Sequence, residues 1–283
     1  MPCVSTALLS SPTRGCLRPS NHIALALVLG LAAGCSPHVL VVIGTDLCAD
    51  GGSVGCPPPG LLDDLIGWWR LDETAGDTIA QDSSTRDNNG TLVELIPANA
   101  WIAGRAGGGL AVDSAGFVNV AQSLSIDSIT DQVTVAGWAY LEGTLMDFGT
   151  VASRQIDTGL GQHYHIGIDS REEVPIFFLM TATGSAIPRA VTPVVRQTWV
   201  HIAGTYDGNF ARLYVDGREV SSQPVAGRFG PYNTPFILGA NGNNAAVSER
   251  FPGNIDEIML YRRALAADEI AQLHDGALFP LRN

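Results

Sequence analysis

The chain has 283 residues, of which 46% are hydrophobic, 16% are charged, 32 are glycine and 16 are proline. This balance excludes a disordered chain and suits short strands joined by many turns. The formal net charge of −12 disfavours nucleic acid and favours a cationic partner such as Ca²⁺, while the complete lack of lysine excludes Schiff-base chemistry and a lysine-dependent phosphate-binding loop.

Residues 1–34 have the layout of a secretory leader. The apolar run at 21–33 follows two arginines and is too short to span a membrane, which takes about 20 apolar residues. The run ends in LAAGC, which resembles the lipobox of bacterial lipoproteins, although Ala32 stands where that motif usually has leucine. The resemblance implies a lipid anchor on Cys35, and the serine after it implies the outer membrane. An ordinary signal peptide or an uncleaved anchor is the alternative.

The segment 35–60 joins this leader to the body of the protein. It contains Cys48 and Cys56 and ends in three prolines and a glycine, a stiff sequence that suits a tether. In an oxidising compartment the two cysteines can close a small disulfide loop, and they are the pair that remains once the leader is removed and Cys35 is acylated. Two free thiols are the alternative, and neither state implies catalysis.

Residues 61–283 predict one all-β domain, an antiparallel sandwich of two sheets, because short apolar stretches are separated by Gly, Asn and Asp. In the first strand Trp68 and Trp69 point to opposite faces, since successive side chains of a strand alternate. Runs rich in β-branched and aromatic residues predict further strands at Val133–Tyr140 and Trp199–Tyr206.

The later part of the body predicts a hairpin, two more strands and a helix. Asp216-Gly217 supplies the positive φ angles of a tight hairpin turn. The tail 264–274 predicts a short C-terminal helix that docks on a sheet. The helical residues expected to face the sheet are Leu265, Ile270 and Leu273. The strands are expected at Ala211–Val215, Arg218–Val220, Pro235–Leu238 and Ile255–Tyr261.

Several motifs in a fixed order resemble the laminin-G-like domains of the concanavalin A-like superfamily. The resemblance covers nearly everything from about Leu61 to about His274 and implies a jelly-roll connectivity. Domains of this family bind glycans, proteins or matrix, so the resemblance does not assign a function by itself. The motifs are GWWRLDETAGDTIAQDSS at Gly67–Ser84, NNGTL at Asn88–Leu92, VTVAGWAYLEG at Val133–Gly143, WVHIAGTYDGNFARLYVDGREV at Trp199–Val220 and GNIDEIMLYRRALAADEIAQL at Gly253–Leu273.

A calcium site is expected in the acidic loop 82–90. The loop concentrates oxygen ligands on a turn-rich segment, which suits a hard cation such as Ca²⁺. The family resemblance implies a structural calcium where this loop meets a late strand, and it assigns the ligands to Asp82, Asn88 and Asp256. The alternative is that these side chains only make turns through hydrogen bonds to the backbone.

Two other groups of residues resemble functional sites, but neither is predicted to be one. His163 and His165 fall on one face of an extended segment, where His201 could join them as a zinc ligand, but a polar strand face explains the same alternation. Related glucanases carry two catalytic glutamates in an E-x-D-x-E-like run, because retaining hydrolysis needs two carboxylates about 5 Å apart. Here Asn254 and Ile258 stand where those glutamates would be.

We therefore expect a non-catalytic binding module, lipid-anchored at the bacterial outer membrane or cell surface, whose partner is a polysaccharide or an envelope or extracellular protein. Tyr164, Phe177, Phe178 and Tyr232 are candidate contact aromatics, with core packing as the alternative for most of them. Two other functions stay open. A carboxylate pair in a groove would favour a divergent glycoside hydrolase, and an exposed apolar patch without a groove would favour a purely structural envelope protein.

Overall fold

The computed structural model describes residues 58, 60–113, 115–155, 163–230, 233–243 and 246–278. These residues belong to the second of two units in the chain, 57–283, and the first unit is 1–56. The expected leader 1–34, the lipidation site Cys35 and the disulfide pair Cys48 and Cys56 lie outside the described residues, so they stay predictions. No helix in the described part of the chain is long and apolar enough to cross a membrane.

Short strands make up most of the described domain, as the many turn signals of the sequence predict. The strands are β1 (Leu65–Trp69), β2 (Ile79–Ala80), β3 (Gly90–Val93), β4 (Trp101–Ala106), β5 (Gly108–Ala111), β6 (Phe117–Val120), β7 (Val133–Leu141), β8 (Phe148–Gln155), β9 (His163–Asp169), β10 (Val174–Met180), β11 (Ser185–Ala186), β12 (Trp199–Tyr206), β13 (Phe210–Val215), β14 (Arg218–Pro224), β15 (Phe236–Leu238), β16 (Asn241–Gly242), β17 (Val247–Ser248) and β18 (Gly253–Tyr261). The helices are α1 (Pro97–Ala100), α2 (Leu124–Asp127) and α3 (Ala267–His274).

The strands form two large antiparallel sheets. The first sheet has the order β14-β13-β12-β7-β18-β5-β4, and β1 also pairs with β18. The second sheet has the order β11-β10-β9-β8-β15-β6-β3-β2, and β16 and β17 form a separate hairpin. One hydrophobic core joins residues of both sheets. This arrangement confirms the expected two-sheet antiparallel jelly-roll sandwich with a short C-terminal helix.

The two tryptophans of β1 divide between the faces of the first sheet, as predicted. Trp69 is fully buried in the core, where its ring stacks on Phe236 with 5.4 Å between centroids. Its Nε1 donates a hydrogen bond to the carbonyl oxygen of Asn88 at 2.8 Å, so its polar atom is satisfied inside the core. Trp68 belongs to a second apolar cluster on the outer side of the first sheet.

The predicted hairpin and C-terminal helix are both present. β13 and β14 pair across the turn at Asp216 and Gly217, which have φ angles of 48° and 76°. Helix α3 packs Ile270 and Leu273 onto the second apolar cluster. That cluster includes Ala136, Ala203 and Met259 of the sheet, so α3 covers part of the outer face of the first sheet.

Candidate functional site

Asp82 ties the loop between β2 and β3 to the first strand. Its Oδ1 accepts hydrogen bonds from the backbone N–H of Trp68 at 2.9 Å and of Ser84 at 2.8 Å. Its Oδ2 accepts from the Ser84 hydroxyl at 2.7 Å and from the backbone N–H of Asn88 at 2.9 Å. Four donors therefore surround this carboxylate, which is the side-chain-to-backbone arrangement that Asp makes in turns.

Asn88 lies beside Asp82, but its side chain is also engaged. The amide nitrogen donates to the carbonyl oxygen of Ile66 at 2.6 Å, and the amide oxygen accepts from the Ser123 hydroxyl at 2.6 Å. The residue is 4% exposed. The amide therefore cross-links the loop to β1 and to the N-terminus of α2.

Asp256 lies on β18, and its hydrogen bonds lead to the C-terminal end of β4 rather than to the acidic loop. Its Oδ2 accepts from the backbone N–H groups of Arg105 at 2.7 Å and Ala106 at 2.9 Å. Among the described residues, no three His, Cys, Asp or Glu side chains form a group that could hold a metal ion. The donors already held by Asp82 and Asn88 would have to be displaced by a cation, and the calcium site stays a prediction.

A β-bulge in β18 places Asp256 and Glu257 on the same face of the first sheet. Ile255 and Ile258 both point into the core, and the register against β7 shifts between Asp256 and Met259. Glu257 has a φ of 51°. Strict alternation predicts opposite faces for adjacent residues, so this juxtaposition could not be read from the sequence.

Both carboxyl groups of the bulge are withdrawn from solvent, with Asp256 0% and Glu257 2% exposed. Oε2 of Glu257 accepts from the Nε1 of Trp68 at 2.5 Å. Burial raises the pKa of Asp256 to about 7, and burial together with the nearby Asp256 charge raises the pKa of Glu257 to about 9. Within the described part of the chain, Oδ1 of Asp256 and Oε1 of Glu257 have no hydrogen-bond partner.

An open depression of about 410 Å³ lies on the outer face of the second sheet. Phe117 and Asn119 of β6 point into it, because Val118 and Val120 between and after them point into the core. Ile237 of β15 lies beside them and packs with Phe117 in a small apolar cluster. The lining residues are Val93, Glu94, Phe117, Asn119, Pro235, Ile237, Asn243, Ala246, Val247 and Arg250.

The rim of the depression carries an ion pair. Nη2 of Arg250 lies 2.6 Å from Oε2 of Glu94, and Nη1 of Arg250 donates to the carbonyl oxygen of Ala115 at 2.6 Å. The guanidinium carbon lies 5.5 Å from the centre of the Phe117 ring. The depression thus combines an apolar floor with planar polar groups of fixed orientation. Such a combination binds polar organic ligands that also have apolar surface.

The three histidines considered as zinc ligands are not together. The rings of His163 and His165 stack on Phe178, with centroid distances of 4.3 Å and 5.2 Å, on the outer face of the second sheet. His201 lies on the first sheet against Trp138, at 5.2 Å. Burial lowers the pKa of His201 to about 3, which leaves its imidazole neutral.

The expected contact aromatics divide between core and surface. Tyr164 and Phe177 are fully buried in the core, Phe178 is half-buried on the outer face of the second sheet, and Tyr232 lies outside the described residues. The lining of the depression was not predicted from the sequence. The alternation Phe117-Val118-Asn119-Val120 was the one local signal for it.

Residues 112–271 match the model of a family described as the concanavalin A-like lectin/glucanases superfamily. Pappalysin-1 of Mus musculus is 29% identical in an alignment of 157 residues that covers 50% of this chain and 9% of that protein. Pappalysin-1 of Homo sapiens is 30% identical in an alignment of 122 residues that covers 40% of this chain and 7% of that protein. The chain therefore spans less than a tenth of the length of these curated relatives.

Three solved structures share the fold of the described domain. Domain 4 of an extracellular arabinanase from Geobacillus stearothermophilus, in complex with arabinotriose, has a TM-score of 0.57 at 18% identity and covers 75% of this chain and 98% of that one. The binding domain of Paraclostridial Mosquitocidal Protein 1 has a TM-score of 0.56 at 15% identity, with coverages of 76% and 52%. A sialidase of Trypanosoma rangeli has a TM-score of 0.54 at 14% identity, with coverages of 75% and 32%. At these identities the likeness concerns the fold alone.

Proposed function

The chain belongs to the concanavalin A-like lectin/glucanase superfamily, and on that premise we propose that its jelly roll is a non-catalytic module that binds carbohydrate in the depression of the second sheet. The observation that carries the proposal is the lining of that depression. Phe117 and Ile237, 8% and 0% exposed, lie at the bottom of the depression, and the half-buried Val93 and Val247 add accessible apolar surface. The polar side chains around them are Asn119, Glu94 and Arg250.

This lining matches the chemistry of a sugar ring. A sugar presents hydroxyl groups that donate and accept hydrogen bonds, and C–H surfaces that pack against apolar side chains. Planar amide, carboxylate and guanidinium groups satisfy the hydroxyls in both directions. The volume of about 410 Å³ falls within the usual range of about 300–1,000 Å³ for ligand pockets. The arabinotriose complex of a domain with this fold supports the same ligand class.

The placement of carboxylates favours binding over hydrolysis. In most glycoside hydrolase families, hydrolysis uses two carboxyl groups that flank the scissile bond. Among the described lining residues Glu94 is the one carboxylate, and it is held by Arg250. The adjacent carboxyl groups Asp256 and Glu257 are buried in the other sheet. Neither arrangement offers a carboxylate pair to a bound sugar.

The proposal is tested with a glycan array, followed by isothermal titration calorimetry of the full chain with arabinotriose or with the best array ligand. Asn119→Ala removes a lining amide and is expected to weaken binding about tenfold, the effect of one lost hydrogen bond of about 1.4 kcal/mol. The matched control is Asn99→Ala, which removes an exposed amide outside the lining and leaves affinity unchanged.

Titrations in calcium and in chelator separate the two expected ligands of the protein. A calcium requirement would support the predicted site at Asp82, Asn88 and Asp256, and equal affinity in chelator would remove calcium from carbohydrate binding. Wild-type protein that binds no glycan, or equal weakening by both alanine variants, would contradict the proposed function.

A further inference from the structure

The positively charged side chain at the depression, Arg250, is neutralised by an ion pair and held in place by a hydrogen bond. Arg250 is 25% exposed at its side chain, pairs with Glu94 at 2.6 Å and donates to the carbonyl oxygen of Ala115. Its guanidinium also lies against the Phe117 ring. Glu94 is far more accessible, with 59% of its side chain exposed. A ligand entering the depression therefore meets the carboxylate more openly than the guanidinium.

The backbone holds Glu94 in this position. Glu94 directly follows β3 and has a φ of 59°, the left-handed region that non-glycine residues rarely adopt. Gly116 lies against it, because a Cβ on Gly116 would be 2.8 Å from the carbonyl carbon of Glu94 and 2.3 Å from the carbonyl oxygen of Val93. An uncommon conformation supported by close packing fixes where the side chain starts. The Glu94 carboxylate is thus a positioned feature of the rim rather than a freely moving surface charge.

From this geometry we propose that Glu94 is a specificity-determining residue, which selects neutral sugars and rejects acidic ones at the depression. The inference rests on the carbohydrate-binding function proposed above. A neutral hydroxyl can donate to the Glu94 carboxylate and accept from the Arg250 guanidinium. The carboxylate of an acidic sugar can only accept, and it would face a like charge on a chain with a net charge of −12.

Removing the negative charge of Glu94 should reverse the preference for neutral over acidic sugars. Glu94→Gln keeps the size of the side chain but no longer neutralises Arg250. The freed guanidinium can then bind a ligand carboxylate through paired, charge-assisted hydrogen bonds. We expect the affinity for acidic sugars to rise roughly tenfold or more relative to neutral ones, because hydrogen bonds between charged partners are the stronger class.

The experiment uses matched ligand pairs in which one member is neutral and the other carries carboxylate groups. Lactose and sialyllactose, and trimers of galactose and of galacturonic acid, are placed on one array with arabinotriose, and binding is then quantified by calorimetry at two salt concentrations. The matched control is Glu172→Gln, which makes the same change in net charge at an exposed residue outside the lining. Equal Tm values establish that all variants are folded.

The outcomes separate this inference from the function on which it rests. Wild-type preference for the neutral member, reversed or reduced in Glu94→Gln and unchanged in Glu172→Gln, supports it. Neutral glycans that bind equally well to wild type and Glu94→Gln, without a gain for the acidic member, would overturn the selection but leave carbohydrate binding intact. A shift shared by both variants would also overturn it, because overall charge would then explain the result. Wild-type protein without any glycan binding would contradict the proposed function itself.

Discussion

On the outer face of the first sheet, Asp256 and Glu257 are buried beneath the C-terminal end of β4, whereas on the outer face of the second sheet Glu94 and Arg250 lie at the rim of an open depression. Both faces use carboxylates beside arginines and aromatic rings. Asp256 and Glu257 are buried and have a structural role, since the hydrogen bonds of Asp256 hold β18 and the end of β4 together. Exposure leaves the second group available to a ligand. Solvent access, more than residue type, therefore separates the roles of the two groups.

The largest expected effect on stability comes from displacing the end of β4, which covers the buried carboxyl groups of Asp256 and Glu257. In Gly104→Ala the new Cβ would lie 1.7 Å from the carbonyl oxygen of Gly108 and 2.5 Å from Oδ2 of Asp256. The end of β4 must move, so we expect the free energy of unfolding to fall by about 3 kcal/mol. Urea denaturation followed by fluorescence measures this change.

The control for this variant is Gly184→Ala, a substitution with space around it. Its Cβ would meet Val225 at 3.4 Å, an ordinary contact, and Gly184 has no positive φ. We expect a change of less than about 0.5 kcal/mol. Equal destabilisation by the two alanine substitutions would contradict the close packing of Gly104 against Gly108 and Asp256.

A smaller loss is expected when the acceptor itself is removed. Asp256→Ala leaves the part-buried N–H groups of Arg105 and Ala106 without their acceptor, which is expected to lower the free energy of unfolding by about 2 kcal/mol. Asp256→Asn keeps an acceptor oxygen at the same place and should lose less. The same denaturation measurement ranks the variants, and an Asn variant as unstable as the Ala variant would contradict the assigned role of that oxygen.

The smallest expected effect is a pH dependence that belongs to the first sheet. In the unfolded chain the carboxyl groups of Asp256 and Glu257 titrate near their ordinary pKa values of 3.8 and 4.5, but the folded pKa values are about 7 and about 9. Between these limits the folded state binds more protons than the unfolded state. The contribution of these two groups to stability is therefore fully present below about pH 4 and is lost as the pH rises towards 9.

Glu257→Gln tests this dependence, because an amide cannot ionise but still offers an acceptor to the Nε1 of Trp68. Melting curves between pH 5 and pH 9 should show a shallower decline of Tm for the variant than for wild type. Other charged groups near the pair are Arg70, Asp72 and Arg105, and they are the same in both proteins. Parallel Tm profiles would show that Glu257 does not hold its proton in the folded state.

Local sequence patterns predicted the fold class and its clearest elements. The β-branched and aromatic runs located β7 and β12, the Asp-Gly pair located the turn before β14, and the apolar spacing at 264–274 located α3. Alternation also placed Trp68 and Trp69 on opposite faces correctly. These features depend on contacts between near neighbours in the chain, which spacing and propensity encode directly.

The candidate site depended on the tertiary structure. The rim pair joins Glu94 to Arg250 across 156 positions of sequence, and the floor adds β6 and β15 from between them. The bulge that turns Asp256 and Glu257 to one face breaks the alternation on which sequence reasoning relies. By itself, the sequence determined the fold class, the clearest strands, the Asp-Gly turn, the C-terminal helix and the family resemblance, because these follow from local periodicity and motif order. Which side chains meet, and which of them water reaches, was decided only when the two sheets packed together, because burial is a property of the whole assembly of strands.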